Sequence, residues 1–354
     1  DRGSILAAAR RLRAAIRANP SLLDEAIRLL SDPQADLAAR QVAAVVLGSL
    51  PEAAGKEALL KLLMGGGAAG FERTVILSLG IVEVEDGDEL DRDGQPFAVE
   101  AAPGLSVFVR GPVPAEAAEE LARRLSEGAS PELRLAAARV LRDSGAFPGV
   151  RQALLGRLER DPEAEVAAES AAALGEWTRR APAADPERAL VLSRILDAAP
   201  RSDDLVRFRL AAPLSSAGLS AGEVQRIRDL SAHEDAEARR FAVEVLGRRL
   251  GGFPEESASA VPLLSTAATA DPSANVREAA SLALGRVAAD PQAQGALVSA
   301  LRADADWEVR AAAARSLAGA PGSEAAREAL RVAAASDSKP EVRAAAERSL
   351  SVLK

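Results

Sequence analysis

DPSANVREAASLALG, residues 271–285, is the stretch whose reading decides the fold. Val276, Ala279, Ala280, Leu282, Ala283 and Leu284 place apolar groups around most of a helix. A helix that is apolar on more than one stripe is buried on more than one side. The small Ala residues let neighbouring helices come close. Asp271 before Pro272 is expected to cap the helix by accepting backbone N–H bonds. The proline then takes the first helical position, where its missing N–H is no loss. Gly285 stands where a left-handed C-terminal cap would end the helix.

Working outward, the same phrase returns along the chain: DPQADLAARQVAAVVLG at 32–48, SPELRLAAARVLR at 130–142, DPEAEVAAESAAALG at 161–175, HEDAEARRFAVEVLG at 233–247, DADWEVRAAAARSLA at 304–318 and DSKPEVRAAAERSLS at 337–351. The position of Arg277 recurs as Arg40, Glu72, Arg134, Ala167, Arg207, Arg239, Arg277, Arg310 and Arg343. Neighbouring steps are 32, 62, 33, 40, 32, 38, 33 and 33 residues. The long step equals one ordinary step plus about 30 inserted residues, so nine units result. Asp32 and Asp161 repeat the Asp-Pro start, and Gly48, Gly80, Gly175 and Gly247 repeat the terminal glycine. A helix with one apolar face precedes each unit, as in 22–30, 56–64, 115–125, 152–158, 187–196, 223–230, 294–301 and 324–332. One such hairpin cannot bury its own apolar faces, whereas a row of them can.

The Asp-Pro start, the Val-Arg pair and the Ala-rich Leu-Gly ending resemble HEAT repeats, most closely the bacterial type found in phycobilin lyases. The resemblance extends over about nine-tenths of the chain. It implies an all-α, right-handed α–α superhelix, a HEAT-type solenoid whose second helices line the concave side, here with a small β insertion around 81–113. It also implies a structural ladder in which the Arg of one repeat pairs with a turn Asp of its neighbour. The matching positions are Arg277, Arg310 and Arg343 with Asp271, Asp304 and Asp337. Glu72 and Ala167 interrupt the ladder. The expected organisation is a cap helix and two repeats in 1–80, the insertion in 81–113, and seven further repeats in 114–354. Arg10, Arg11, Arg13 and Arg17 make residues 1–18 a basic amphipathic helix, read as a cap over the first repeat or as a segment near a membrane.

Composition agrees with thin helical layers. Hydrophobic residues make up 48% of the 354, aromatics only 3%, and Tyr is absent. A core without large rings cannot be thick. The net charge of −8 disfavours nonspecific nucleic-acid binding, which needs Lys and Arg to replace counterions on phosphates. No apolar run reaches the ~18–20 residues that span a bilayer. The absence of cysteine removes disulfide and thiolate chemistry. A first residue of Asp1 rather than Met leans towards a processed, periplasmic chain, with the cytoplasm as the alternative.

Helical period disappears between Ile81 and Val113. Alternating segments at 81–85, 96–101 and 105–110, set between Asp-Gly and Pro-Gly turns, predict two or three short antiparallel strands. Within the insertion, Glu89, Asp91, Asp93 and Glu100 follow the spacing of an EF-hand calcium loop. Glu in place of Asp at the first ligand position, Pro96, and the lack of flanking helices depart from that pattern. The two readings are an acidic hairpin turn and a calcium site; no other cofactor is expected.

Catalytic inventory is thin. His233 is the single histidine and fills the place of Asp at a helix start, which points to a surface or capping role. One His and no Cys exclude the usual zinc sites and the several His-Glu pairs of HEAT-type iron hydroxylases. Gly65–Gly70 lacks the Lys-Ser/Thr pair of a phosphate cradle and reads as an inter-helix turn. Trp177 follows the expected helix end and is placed under the next loop. Trp307, Arg239 and Arg248 are the candidate partner-binding residues, with packing between repeats and a solvated face as the alternatives. Arg179-Arg180, Arg239-Arg240 and Arg248-Arg249 form basic spots. The functional expectation is a non-catalytic scaffold that holds a protein partner on the concave surface or the inserted loop. The alternatives are a bilin lyase or isomerase-like helper, suggested by the repeat type, and nucleic-acid binding as in HEAT-like DNA glycosylases.

Overall fold

The structure is a computed structural model that describes residues 2–81, 98–102, 105–109, 113–182, 184–216 and 218–353. The chain divides into two compact units, Asp1–Arg180 and Ala181–Lys354. In the first, α1 (Arg2–Ala18) precedes four hairpins: α2 (Leu22–Ser31) with α3 (Leu37–Gly48), α4 (Ala53–Met64) with α5 (Glu72–Leu79), α6 (Ala115–Glu127) with α7 (Pro131–Val140), and α8 (Pro148–Arg160) with α9 (Ala164–Arg180). In the second are five: α10 (Pro186–Ala198) with α11 (Asp204–Ser216), α12 (Ala221–Leu230) with α13 (Ala236–Gly252), α14 (Ser257–Ala270) with α15 (Ala274–Leu284), α16 (Pro291–Ala303) with α17 (Trp307–Ser316), and α18 (Glu324–Ser336) with α19 (Pro340–Val352). Within each unit the second helices pack side by side in chain order, α3 to α9 and α11 to α19. Each unit is an all-α stack of helical hairpins.

Alanine makes the layers thin. Ala311, Ala312, Ala313 and Ala314 of α17 are all buried, so that helix is covered on nearly every side. The terminal glycines serve the same close packing and are not left-handed caps. Among the described residues only Gly66, Gly70 and Gly322 have positive φ. Gly80 has φ −95° and Gly285 φ −57°. A Cβ on Gly247 would run into the Ala283 side chain of α15, and one on Gly48 into the Ser78 backbone of α5. On Gly285 it would lie 2.7 Å from Ser316 Oγ of α17. These positions are small because a neighbouring second helix lies against them.

Asp32, Asp161 and Asp271 do not cap the following helices, which begin several residues later, at Leu37, Ala164 and Ala274. They end the preceding helices through their backbone N–H groups, and their side chains accept the N–H of the residue two positions on. Asp-Pro caps of the expected kind occur on first helices instead, at Asp185 of α10 and Asp290 of α16.

The insertion contributes an antiparallel pair, β1 (Ala98–Ala102) and β2 (Leu105–Phe108), with Val99 opposite Val107. An isolated bridge joins Ile81 to Val109. Glu89, Asp91 and Asp93 lie outside the described residues; Glu100 lies in β1. No cluster able to hold a metal occurs among the described residues, and no helix is long and apolar enough to cross a membrane.

Candidate interaction face

The register of the second helices is set by one repeated contact. Arg277 directs Nε and Nη2 at both oxygens of Asp304, at 2.7 and 2.9 Å, and Nη1 at the carbonyl of Asp271, at 2.9 Å. Arg310 does the same with Asp337 and the carbonyl of Asp304. Arg134 in the first unit repeats it with Asp161 and the carbonyls of Gly128 and Ala129. The fork of a guanidinium matches a carboxylate edge to edge, which an ammonium cannot do. Each carboxylate also accepts a backbone N–H of its own turn, from Glu163, Ser273, Asp306 or Lys339.

Where a partner is missing, the arginine or its neighbour finds another. His233 fills the turn position before α13 and accepts the Asp235 N–H as the aspartates do. A neutral ring cannot accept a two-pronged donor, and Arg207 turns to Asp204 of its own helix and the Ser202 carbonyl. Glu72, which stands where the others have Arg, pairs with Arg124 of α6. Among the described residues Arg343 keeps only the bond to its own turn, at the Asp337 carbonyl.

Arg239, a partner-binding candidate by sequence, is a rung of this ladder: it forks to Asp271 at 2.8 and 2.9 Å and reaches the His233 carbonyl, with 11% of its side chain exposed. Arg249 likewise leaves the surface. It is 1% exposed, paired with Glu256, bonded to the Leu214 carbonyl and set over the Phe253 ring. Trp177 lies inside α9 and packs back on Arg151 of α8 and on Gly145, not under the next loop. Arg248 and Trp307 are half-buried.

Burial pushes the carboxyls of Asp161, Asp271 and Asp304 up, but the arginine forks, the turn N–H groups and the nearby positive charges hold them below the usual range. For Asp337 the hydrogen bond from Arg310 is the main cause of the same depression. A depressed carboxyl contributes stability that is complete above its unfolded value, near pH 4, and is lost as pH falls through the lower folded value. The urea midpoint is therefore expected to hold steady from pH 7 to about 5 and to drop steeply below pH 4. A midpoint at pH 2.5 equal to that at pH 6 would remove the ladder from the stability account.

On the side away from the first helices, the second helices of unit 2 show a stripe at i, i+3, i+7 and i+11, the spacing of one helix face. It runs Glu237, Arg240, Glu244 and Arg248 on α13; Asn275, Glu278 and Leu282 on α15, with Arg286 in the turn that follows it; Glu308 and Arg315 on α17, with buried Ala311 between them; and Glu341, Ala344, Arg348 and Val352 on α19. Leu205 and Phe208 of α11, the latter 62% exposed, hold the equivalent places at one end. N-terminal ends of the stripe are acidic and C-terminal ends basic, the arrangement helix dipoles favour. Two rims of opposite sign result. Arg240 pairs within its helix with Glu237 and Glu244, and Arg315 reaches Glu278 at 3.8 Å. Arg248, Arg286 and Arg348 make no ion pair among the described residues. Burial, and then the Glu308 charge, push the Glu278 carboxyl up. Leu282 stands 45% exposed amid these charges.

In unit 1 the insertion covers part of the corresponding face. Arg73 Nη1 and Thr74 Oγ1 of α5 each donate at 2.6 Å to carbonyls of β1, those of Glu100 and Ala101. Thr74 is buried beneath it.

A family model described as HEAT repeats matches residues 223–318 and 261–351, the hairpins from α12 to α19. No curated protein gives a sequence match. Among solved structures, a Kap121p mutant is similar over 96% of this chain and 38% of its own, with 16% identity and a TM-score of 0.56. Kap121p bound to Pho4p is similar over 94% and 37%, with 16% identity and a TM-score of 0.55. The karyopherin Kap121p bound to the extreme C-terminus of the protein phosphatase Cdc14p gives the same values. At such identity the likeness concerns the fold alone, and the chain spans less than two-fifths of those proteins.

Proposed function

We propose that this chain, whose residues 223–351 match a family model of HEAT repeats, is a non-catalytic scaffold that holds a protein partner on the open face of its second helices. One observation carries the reading: the stripes of α13, α15, α17 and α19 are held in register by part-buried arginine forks yet present a charged outer face with Leu282 exposed at its centre. A rigid base with a sorted charge pattern and an apolar anchor suits recognition of another chain. Solved relatives in fold include Kap121p bound to Pho4p and to a segment of Cdc14p, which supports the same mode of use. No observation in the structure favours bilin chemistry or nucleic-acid binding. A photo-crosslinking residue at Leu282 or Arg315, introduced into the full chain in its native host, is expected to capture one protein reproducibly. The same residue at Leu190, exposed on the first helix α10, is expected not to. Equal or absent capture at all three positions would contradict the proposal.

A further inference from the structure

The basic rim of unit 2 has a spacing that selects a ligand. Its four arginines, Arg248, Arg286, Arg315 and Arg348, come one from each of four consecutive repeats, Arg286 from the turn after α15 and the others from the second helices themselves. Those helices pack side by side, Gly247 against Ala283 and Gly285 against Ser316. Packed helices stand about 8–10 Å apart, so the arginines are spaced by about that interval across the face, with Arg315 and Arg348 one helical turn nearer the N-terminal ends than Arg248 and Arg286. An extended chain in the polyproline II form advances about 3.1 Å per residue with three residues per turn. Every third side chain then points the same way, about 9.3 Å from the last. A β-strand, whose side chains alternate with period two, would turn every other such group away.

Three of the four arginines have no ion pair among the described residues, and the fourth holds Glu278 at 3.8 Å with 48% of its side chain exposed, a contact that is easily exchanged. Helix dipoles account for basic residues at helix ends. They do not account for three that lack carboxylate partners in a chain with 52 acidic residues. Leu282 lies one turn before Arg286 on the same stripe and offers an apolar contact beside the charges.

We propose that this rim binds an extended acidic segment of a partner protein, in the polyproline II form, with a carboxylate at every third residue. The proposal rests on the scaffold reading and names the chemistry of its partner. The probe is a fluorescein-labelled peptide of five Glu-Pro-Ala triplets, titrated with the full chain and followed by anisotropy at low and at physiological salt. A second peptide has the same composition with its glutamates contiguous, and a third probe is a single-stranded oligothymidine of equal length. The spaced peptide is expected to bind about tenfold more tightly than the contiguous one and to weaken with salt. Arg248→Ala combined with Arg286→Ala is expected to weaken it about tenfold. Arg302→Ala, on first helix α16, is expected to leave it unchanged. All variants are checked for native circular dichroism. Equal binding of the two peptides, or binding indifferent to the double substitution, overturns the proposal. So does tighter binding of oligothymidine through the same arginines, which would make the rim a nucleic-acid surface. If Leu282 crosslinks a protein while the spaced peptide fails, this inference falls and the scaffold reading stands.

Discussion

Replacing Arg277 by methionine is expected to lower the unfolding free energy by about 1–3 kcal/mol, the usual cost of leaving a part-buried group without its hydrogen-bond partner. Asp304 is 6% exposed and would keep only the Asp306 N–H of its donors at the carboxylate, while the Asp271 carbonyl would lose its donor as well. Methionine fills much the same volume as the arginine stem, so the loss reports the fork and not a cavity. Arg277→Lys should recover only part of it, because a point charge cannot hold both oxygens and the carbonyl together. Urea unfolding followed by circular dichroism measures all three proteins. A loss under about 1 kcal/mol would class the rung with solvent-exposed pairs.

Gly247→Val is expected to cost about 3 kcal/mol or more through overpacking. The added Cβ alone would overlap Ala283, and two methyl groups follow it into the seam between α13 and α15. Gly247→Ala tests the same contact by sign. Alanine in place of glycine inside a helix ordinarily gains about 1 kcal/mol, yet here a net loss is expected. Gly251→Ala, four residues on in the same helix with nothing within 4 Å, should show the ordinary sign. Ala283→Gly added to Gly247→Ala should restore part of the loss, since the two positions share one space. A stabilised Gly247→Ala protein would mean that α13 and α15 do not approach as described.

Much of this architecture was legible in the sequence because its signal is redundant. The phrase around Arg277 recurs in phase, and every recurrence falls on a second helix from α3 to α19. First helices were legible where charges mark an outer face. The segment SASAVPLLSTAATA of α14 has no charge and carries Pro262, so its period is faint, and it was not among those expected. Aspartate suits turns and helix caps for the same reason, a short acceptor near backbone N–H groups. Asp161 and Asp271 therefore resemble caps in the sequence, although the arginine of the preceding repeat holds them in the turn. Glycine near a helix end carries a similar ambiguity: only the neighbouring helix reveals that Gly247 is a point of contact and not a left-handed residue.

The interaction face was the least legible part. Arg239 and Arg240 look alike as a doublet, yet one forks into the ladder and the other lies on the open stripe. Arg248 and Arg249 divide in the same way between rim and core. A rotation of 100° per residue separates such neighbours, and the register that decides between them is fixed by contacts some 30 positions distant. Marking positions one and five residues after each ladder arginine would have found the stripe from sequence, since it collects Arg240, Glu244, Glu278, Leu282 and Arg315.

The central claim is that the hairpins of each unit form an open row in which each shelters the next. Native-state amide exchange of Arg277→Met against the parent chain tests it most directly. The account expects faster exchange in α13 to α18, around the broken rung, with α2 to α7 keeping the parent protection. Protection lost to the same degree along the whole chain would contradict it, since only one shared, closed core would spread a single break everywhere.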